Sequence, residues 1–460
     1  MSGWLLMGLP GAIYMAGSGD AWVAIGLLVG TLLNWLFIAP RLRVYTGHEK
    51  SLTLSSFFAA RFRDPSSLLR IFSAIVVLLF FSIYAASGLV GAGKLFENMF
   101  NINYKTAVIV GTLVILAYTI LGGYLAVCWT DLVQGALMFI ALVFVPVLAY
   151  FNMAADNTFE TSAQTLTFSL FPDGYGFSVW IGIISCAVWG LGYCGQPHIL
   201  CRFMSIKSAK LLPRTTVIAM VWVTISLAAA VVIGVLGRIM IPGLDKNTSE
   251  KVFIEMIDKV CYPWIGGIFL AAILAAIMST IDSQLLVSSS TLTSDFYHRI
   301  LHKTASSREL VIVSRGFVIL ITGLACILAL SPFETIFGIV KFAWGGFGAA
   351  FGPVIIMALY SRRTTWQSAL AGMIVGTVVM VVWYFLGWNK YMYEILPGFC
   401  ANLFTIIILN FFIVQRNPEV LQSFDKVKEI YRRVKAGEWE DDIENQEAAA
   451  ECSCTDEPAK

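Results

Sequence analysis

The sequence predicts an all-α polytopic membrane protein of about 11 spans plus an N-terminal half-helix, and three observations carry that reading. Hydrophobic residues make up 58% of the chain and charged residues 13%, with a mean hydropathy of +0.78, a balance outside that of soluble globular domains. Apolar runs of roughly 17 to 25 residues, the length that crosses a bilayer, recur along the whole chain. Lys and Arg then concentrate in alternate connections: residues 40–70, 122–130, 197–214, 291–315, 361–366 and the C-terminal tail hold 23 of the 31.

Taken in order, spans are expected near residues 21–39, 71–92, 106–121, 132–151, 176–196, 215–238, 263–290, 316–330, 342–360, 367–387 and 398–415. Residues 1–16 are apolar but interrupted by Gly3, Gly8, Pro10 and Gly11, so they read as half a helix. The positive-inside rule makes the Lys- and Arg-rich connections cytoplasmic. The C-terminus is then cytoplasmic, in a multi-pass protein of the cytoplasmic (inner) membrane. Residues 1–415 form the transmembrane domain and 416–460 the tail. Within the tail, Val420, Phe424, Val427, Tyr431 and Val434 recur at helical spacing among basic residues, which predicts an amphipathic helix over 418–436, on the inner leaflet or simply solvated. The acidic stretch 438–460, with Cys452 and Cys454, has the composition of disorder. The other cysteines are scattered without metal-ligand or disulfide spacing and read as small apolar side chains.

Several enzyme-like patterns fail on context. Gly190, Gly192 and Gly195 spell G-x-G-x-x-G, yet they lie inside an apolar span, where the strand of a dinucleotide site has no place. His48-Glu49 lacks the second histidine of a metalloprotease helix, and no phosphate-binding loop is present to couple ATP. His198, His298 and His302 stand at or beyond span ends and read as interfacial. Any energy source has to be an ion gradient.

The glycines of AVWGLGYCGQPHI, with Pro197, make sense as a break in the span, tolerated where backbone is buried or lines a cavity; close helix packing is the competing reading. Trp189, Tyr193 and Pro197 share one face at i, i+4, i+8. Two broken segments about five spans apart point to an inverted-repeat transporter with a site between them.

A polar seam runs through 263–290. Ala276, Ser279, Thr280 and Ser283 follow i, i+3, i+4, i+7 spacing and share a face, with Asp282 beside them. Polar groups this deep in a membrane need a protein partner, water or an ion. Hydroxyls facing freed carbonyls suit a hard cation such as sodium, while back-bonding of Ser and Thr to the carbonyl of residue i−4 is the structural alternative. Asp131 could join Asp282 and Ser283 in a second cation site, or serve as a carboxylate at its own helix N-terminus.

The stretches MSGWLLMGLPG, LNWLFIAPRLRVYT, FFSIYAASGLVGAGKLFE, LGGYLAVCWTDLVQ, WGLGYCGQPHILCRFM, AAILAAIMSTIDSQLLVSSS and AWGGFGAAFGPV resemble the sodium/solute symporter family, its proline-carrying bacterial members above all. The resemblance runs to about residue 415. It implies the five-plus-five inverted-repeat fold and sodium-coupled uptake of L-proline across the cytoplasmic membrane, not an enzyme. It implies Met1 and Ala276 (carbonyls) and Ser279 and Thr280 (hydroxyls) as sodium ligands, and Ser2, Gly3, Trp4, Tyr84, Trp189, Tyr193 and Pro197 for proline. Sodium is the coupling ion, and no cofactor, nucleic acid or obligate protein partner is implied. Asp282 stands where those members carry a hydroxyl residue. The family pattern also has a further helix and the first half of the broken helix before the position of Met1, so the given start is expected to be internal to a longer gene product. Symport of another small solute, a non-transporting sensor and an inactive fragment are the alternatives.

Overall fold

The computed structural model describes residues 2–121, 124–155, 169–171, 176–246 and 248–437. Met1 and the acidic stretch 438–460, with Cys452 and Cys454, lie outside the described residues. Those described are helical throughout, without strands. Ten of the helices are long and apolar enough to cross a membrane, and Tyr104–Ile120 is a shorter apolar one.

The N-terminal piece is a π-helical turn, Trp4–Gly8, running into α1 (Leu9–Ala16). The next span joins α2 (Ala21–Leu33) through a second π turn to α3 (Ala39–His48). Helix α4 (Leu54–Phe62) starts from a capping box at Thr53 and Ser56, which satisfies two orphan donors reciprocally. Three long helices follow: α5 (Leu68–Phe100), α6 (Tyr104–Leu121) and α7 (Tyr124–Ala155). The second broken segment comprises α8 (Phe177–Ala187), a 3-10 stretch over Val188–Gly195 and α9 (Pro197–Met204). The break falls on the glycines and Pro197, as the sequence predicts. Proline stands at the first helical position of α9, where its missing N–H costs nothing.

Helices α10 (Leu212–Met240), α11 (Val252–Val260), α12 (Pro263–Thr291), α13 (Ser307–Leu330), α14 (Ile336–Tyr360), α15 (Trp366–Phe385) and α16 (Ile395–Phe412) complete the bundle. The seam helix α12 packs on α5 and α7, and α14 lies between α5, α16 and the 3-10 stretch. Helix α14 is the most enclosed span, with 89% of its apolar window buried. Its glycines allow this, because a helix without side chains on a face admits neighbouring backbone closely.

The tail helix α17 (Pro418–Ala436) has the expected bounds but not the expected neighbour. Its apolar side packs on α3 and α4, with Val420, Phe424, Val427 and Val434 buried. Three polar contacts hold it: Ser423 Oγ donates to Glu49 at 2.5 Å, Arg362 pairs with Asp425 at 2.7 Å and Arg63 with Glu419 at 3.4 Å. Arg61, 1% exposed, donates to the carbonyls of Ala358 and Ser361 at the end of α14 and lies 5.0 Å from the Phe424 ring centre. A cation at a helix C-terminus meets the negative end of the dipole. The tail covers that arrangement.

Candidate ion and solute site

The two broken segments meet in the middle of the bundle. Trp4 and Trp189 approach with ring centres 5.3 Å apart, and Phe337 from α14 lies 6.0 Å from the first and 5.1 Å from the second. Below this ring cluster lies a cavity of about 480 Å³, lined among others by Ser2, Tyr84, Tyr193, Trp344, Ser279 and Thr280. It extends toward the Lys- and Arg-rich side through Asp131, Trp222 and Arg202.

One residue reconciles the 3-10 stretch with its buried setting. Trp344 Nε1–H donates to the carbonyl of Trp189 at 2.8 Å, and Gln196 Nε2–H donates to the carbonyl of Trp344 at 3.2 Å. The carbonyl freed by the break is thus satisfied, as a buried polar group must be. Gly192 makes room for it: a Cβ there would sit 1.8 Å from Trp344 Nε1. The competing readings of these glycines, helix break and close packing, are both fulfilled.

Of the seven residues expected around the solute, Ser2, Trp4, Tyr84, Trp189 and Tyr193 line the cavity and Gly3 and Pro197 do not. Gly3 sets spacing, since a Cβ on it would come within 2.7 Å of Ile277 Cγ1 on α12. Pro197 is buried at the start of α9 and shapes the break.

On the seam helix, the hydroxyls of Ser279 and Thr280 both donate to the carbonyl of Ala276, at 3.0 and 3.3 Å. Thr280 takes the i−4 back-bonded alternative and Ser279 its i−3 counterpart, yet this does not exhaust the site. A donating hydroxyl keeps its lone pairs, and both side chains line the cavity. Three of the expected sodium ligands, Ala276, Ser279 and Thr280, are one cluster.

The other expected cation site divides. Asp131 accepts from Ser283 Oγ at 3.3 Å, but Arg202 sits with them, its Nη2 2.6 Å from Asp131 Oδ2 and 2.9 Å from Ser283 Oγ. Asp282 turns to a different side of α12, fully buried, where Thr119 meets its Oδ1 at 2.6 Å. The reason is angular: Asp282 and Ser283 are adjacent on a helix and point about 100° apart. From the sequence, Arg202 reads only as a cytoplasmic charge and His198 only as an interfacial histidine. His198 in fact lines the cavity, edge-on to Phe81 and Tyr84 at 5.6 and 6.1 Å. The i, i+4 spacing of His198 and Arg202, which puts both on one face of the segment after the break, is the available signal.

Comparison with known proteins identifies the lineage. Residues 1–376 match the Sodium:solute symporter family. The chain belongs to this family. The symporter is 42% identical over 450 residues to the sodium/proline symporter of Haemophilus influenzae, covering 95% of this chain and 89% of that one. It is 43% identical over 429 residues to the high-affinity proline transporter of Bacillus subtilis, covering 92% and 90%, and 44% identical over 419 residues to the sodium/proline symporter of Escherichia coli, covering 89% and 83%. Among solved structures, a substrate-bound, outward-open Na+-coupled sialic acid symporter matches with a TM-score of 0.74 at 19% identity, over 91% of this chain and 88% of that one. MhsT in complex with L-phenylalanine matches at 0.54 and 15% identity, over 92% and 98%. At such identities the likeness establishes the architecture, which is the five-plus-five inverted-repeat transporter fold.

Proposed function

We propose that this symporter couples sodium influx to uptake of L-proline across the cytoplasmic membrane, with the Lys- and Arg-rich connections and the C-terminus on the cytoplasmic side. The observation that carries the reading is one cavity whose one wall is the aromatic pair Trp4 and Trp189 and whose other is the hydroxyl pair Ser279 and Thr280. Apolar aromatic walls suit a pyrrolidine ring, and a few polar groups with freed backbone dipoles suit its carboxylate and secondary ammonium. Relatives above 40% identity carry the sodium/proline name.

Ala276, Ser279 and Thr280 supply oxygen ligands for sodium, and the aromatic residues with Ser2 hold the solute. Sodium bound between the seam helix and the broken segment orders both walls. Proline then binds more tightly, and by linkage proline raises sodium affinity by the same factor. With the ring cluster closed and the cavity extending toward the positively charged side, this conformation is the inward-facing one, and rocking of the repeats exchanges it for the outward-facing one. Uptake of labelled proline into proteoliposomes under an imposed sodium gradient tests the reading. Accumulation that collapses with the gradient is expected; equal uptake without sodium, or sodium-driven uptake of another solute in preference to proline, would refute it.

A further inference from the structure

Helix α2 runs beside the 3-10 stretch and matches it step for step. Gly26 lies against Ala187 and Gly30 against Gly190: a Cβ on the first would come within 2.2 Å of the Ala187 oxygen, and on the second within 2.3 Å of the Gly190 Cα. The next step pairs Asn34 with Tyr193, whose carbonyl accepts from Asn34 Nδ2–H at 3.3 Å. Four α-helical residues rise about 6 Å, as do three 3-10 residues, so positions 26, 30 and 34 stay level with 187, 190 and 193. An α-helix over 188–195 would lag by about 1.5 Å at each step.

Asn34 ends this rail. It is 3% exposed, its Oδ1 is buried without a hydrogen-bond partner, and a π-helical turn over Asn34–Ile38 begins at it. An apolar side chain of that size would avoid the unpartnered oxygen, so what the residue contributes is its donor. Only Nδ2 can donate, and the Tyr193 carbonyl therefore fixes which way the amide faces. The neighbouring stripe of the same segment, Leu27, Thr31 and Trp35, lines the central cavity together with Tyr193. Thr31 faces the Tyr193 phenol. Its own proton goes to the Leu27 carbonyl at 2.8 Å, so it offers that phenol an acceptor.

We propose that Asn34 is a positioning residue for the solute site, acting through Tyr193. The inference rests on the function proposed above, in which Tyr193 forms part of the solute wall. Hydrogen bonds within a 3-10 helix have poorer geometry than those of an α-helix, so this stretch is held largely from outside. Trp344 anchors its start at the Trp189 carbonyl and Asn34 its end at the Tyr193 carbonyl. The other donor to the Tyr193 carbonyl is the Gln196 N–H, at 3.5 Å. Without Asn34 the carbonyl keeps only that long contact and turns, carrying the phenol out of the wall. With both anchors the two rings stand in place before solute arrives, and less binding energy is lost to ordering them. The ion cluster is on α12, outside this rail, so Asn34 governs solute affinity and leaves sodium binding alone.

The experiment is uptake of labelled proline into proteoliposomes by the full chain carrying Asn34→Leu, which keeps the volume, or Asn34→Ala, which crowds nothing, with a melting curve for each. Both variants should raise the proline concentration for half-maximal uptake roughly tenfold. The maximal rate and the sodium requirement at saturating proline should stay near wild type. In a Tyr193→Ala background the same substitutions should change the proline requirement by less than about twofold, since no side chain is left to position, whereas in a Trp189→Ala background they should keep their full effect. An equal loss in both backgrounds overturns the positioning role alone. So does a proline requirement unmoved by either Asn34 variant, or one that rises together with the sodium requirement as the melting temperature falls. A Tyr193→Ala protein with the wild-type proline requirement overturns the solute wall on which the role rests.

Discussion

The guanidinium of Arg202 lies 2.6 Å from Asp131 and holds the position that a cation between Asp131 and Ser283 would take. A side-chain cation there ties α9, from the second broken segment, to α7 and α12. If sodium binds at Asp131, as the second cation site expects, it competes with Arg202 for one carboxylate. Arg202→Gln leaves the carboxylate without its guanidinium, so half-maximal uptake should need less sodium, by roughly tenfold if about 1.4 kcal/mol of competition is removed. Asp131→Asn should move the requirement the other way. Sodium titrations of uptake check both, and identical curves for wild type and both variants would mean that Asp131 serves Arg202 alone.

The hydroxyls of Ser279 and Thr280 rest on the carbonyl of Ala276, which stays bonded within its helix when either hydroxyl is removed. Ser279→Ala and Thr280→Ala should fold normally and raise the sodium concentration for half-maximal uptake by at least several-fold. Trp189→Ala should instead raise the proline concentration required, because it removes an apolar wall. A melting curve with the two titrations separates these effects; a sodium curve unmoved by the hydroxyl variants removes them from the ion site.

Gly192 has no space for a methyl group beside Trp344 Nε1. Overpacking a well-filled site costs typically about 1–3 kcal/mol, and displacing Trp344 also breaks its bond to the Trp189 carbonyl. Gly192→Ala should lower the melting temperature and the yield of monodisperse protein. Trp344→Phe added to it should recover part of the packing loss but not the hydrogen bond. A Gly192→Ala variant as stable as wild type would show that the α14 contact yields freely.

Glu49, at the end of α3 outside the membrane-spanning segments, anchors the tail. Burial by itself would raise its carboxyl, but hydrogen bonds from His48, Ser423 and Arg63 outweigh that and lower it to about 2. A carboxyl held lower in the folded protein than its ordinary 4.5 contributes stability that is complete above the ordinary value and is lost as pH falls toward 2. Docking of α17 should be unaffected between pH 8 and 5 and weaken below about pH 4.5. Ser423→Ala removes one stabilising bond and should make the docked tail easier to release at every pH. Protease cleavage in α17 against pH measures this; release that sets in near neutrality would point to a group other than Glu49.

Much of the candidate site was legible because its signals are local. The break at residues 188–197 is written in three glycines and a proline. The candidate ion cluster is written in i, i+3, i+4 spacing, which puts Ala276, Ser279 and Thr280 on one helical face in any context. Gly3 and Pro197, which the family resemblance assigns to the solute, do not themselves line the cavity; Gly3 sits close against Ile277 and Pro197 starts α9.

The sequence by itself determined the spans, the two broken segments, the polar seam and the charge asymmetry, since each depends on apolar length, periodicity or backbone chemistry within a single stretch. Tertiary structure alone decided where the charges meet: Arg202 with Asp131 across 71 residues, Asp282 with Thr119 across 163, Lys94 with Glu250 across 156, and Ser423 of the tail with Glu49 across 374. The physical reason is common to all four. A helix fixes which residues share a face, but the partner that face receives depends on how every other helix packs, and a polar contact between distant segments leaves no periodic trace in either.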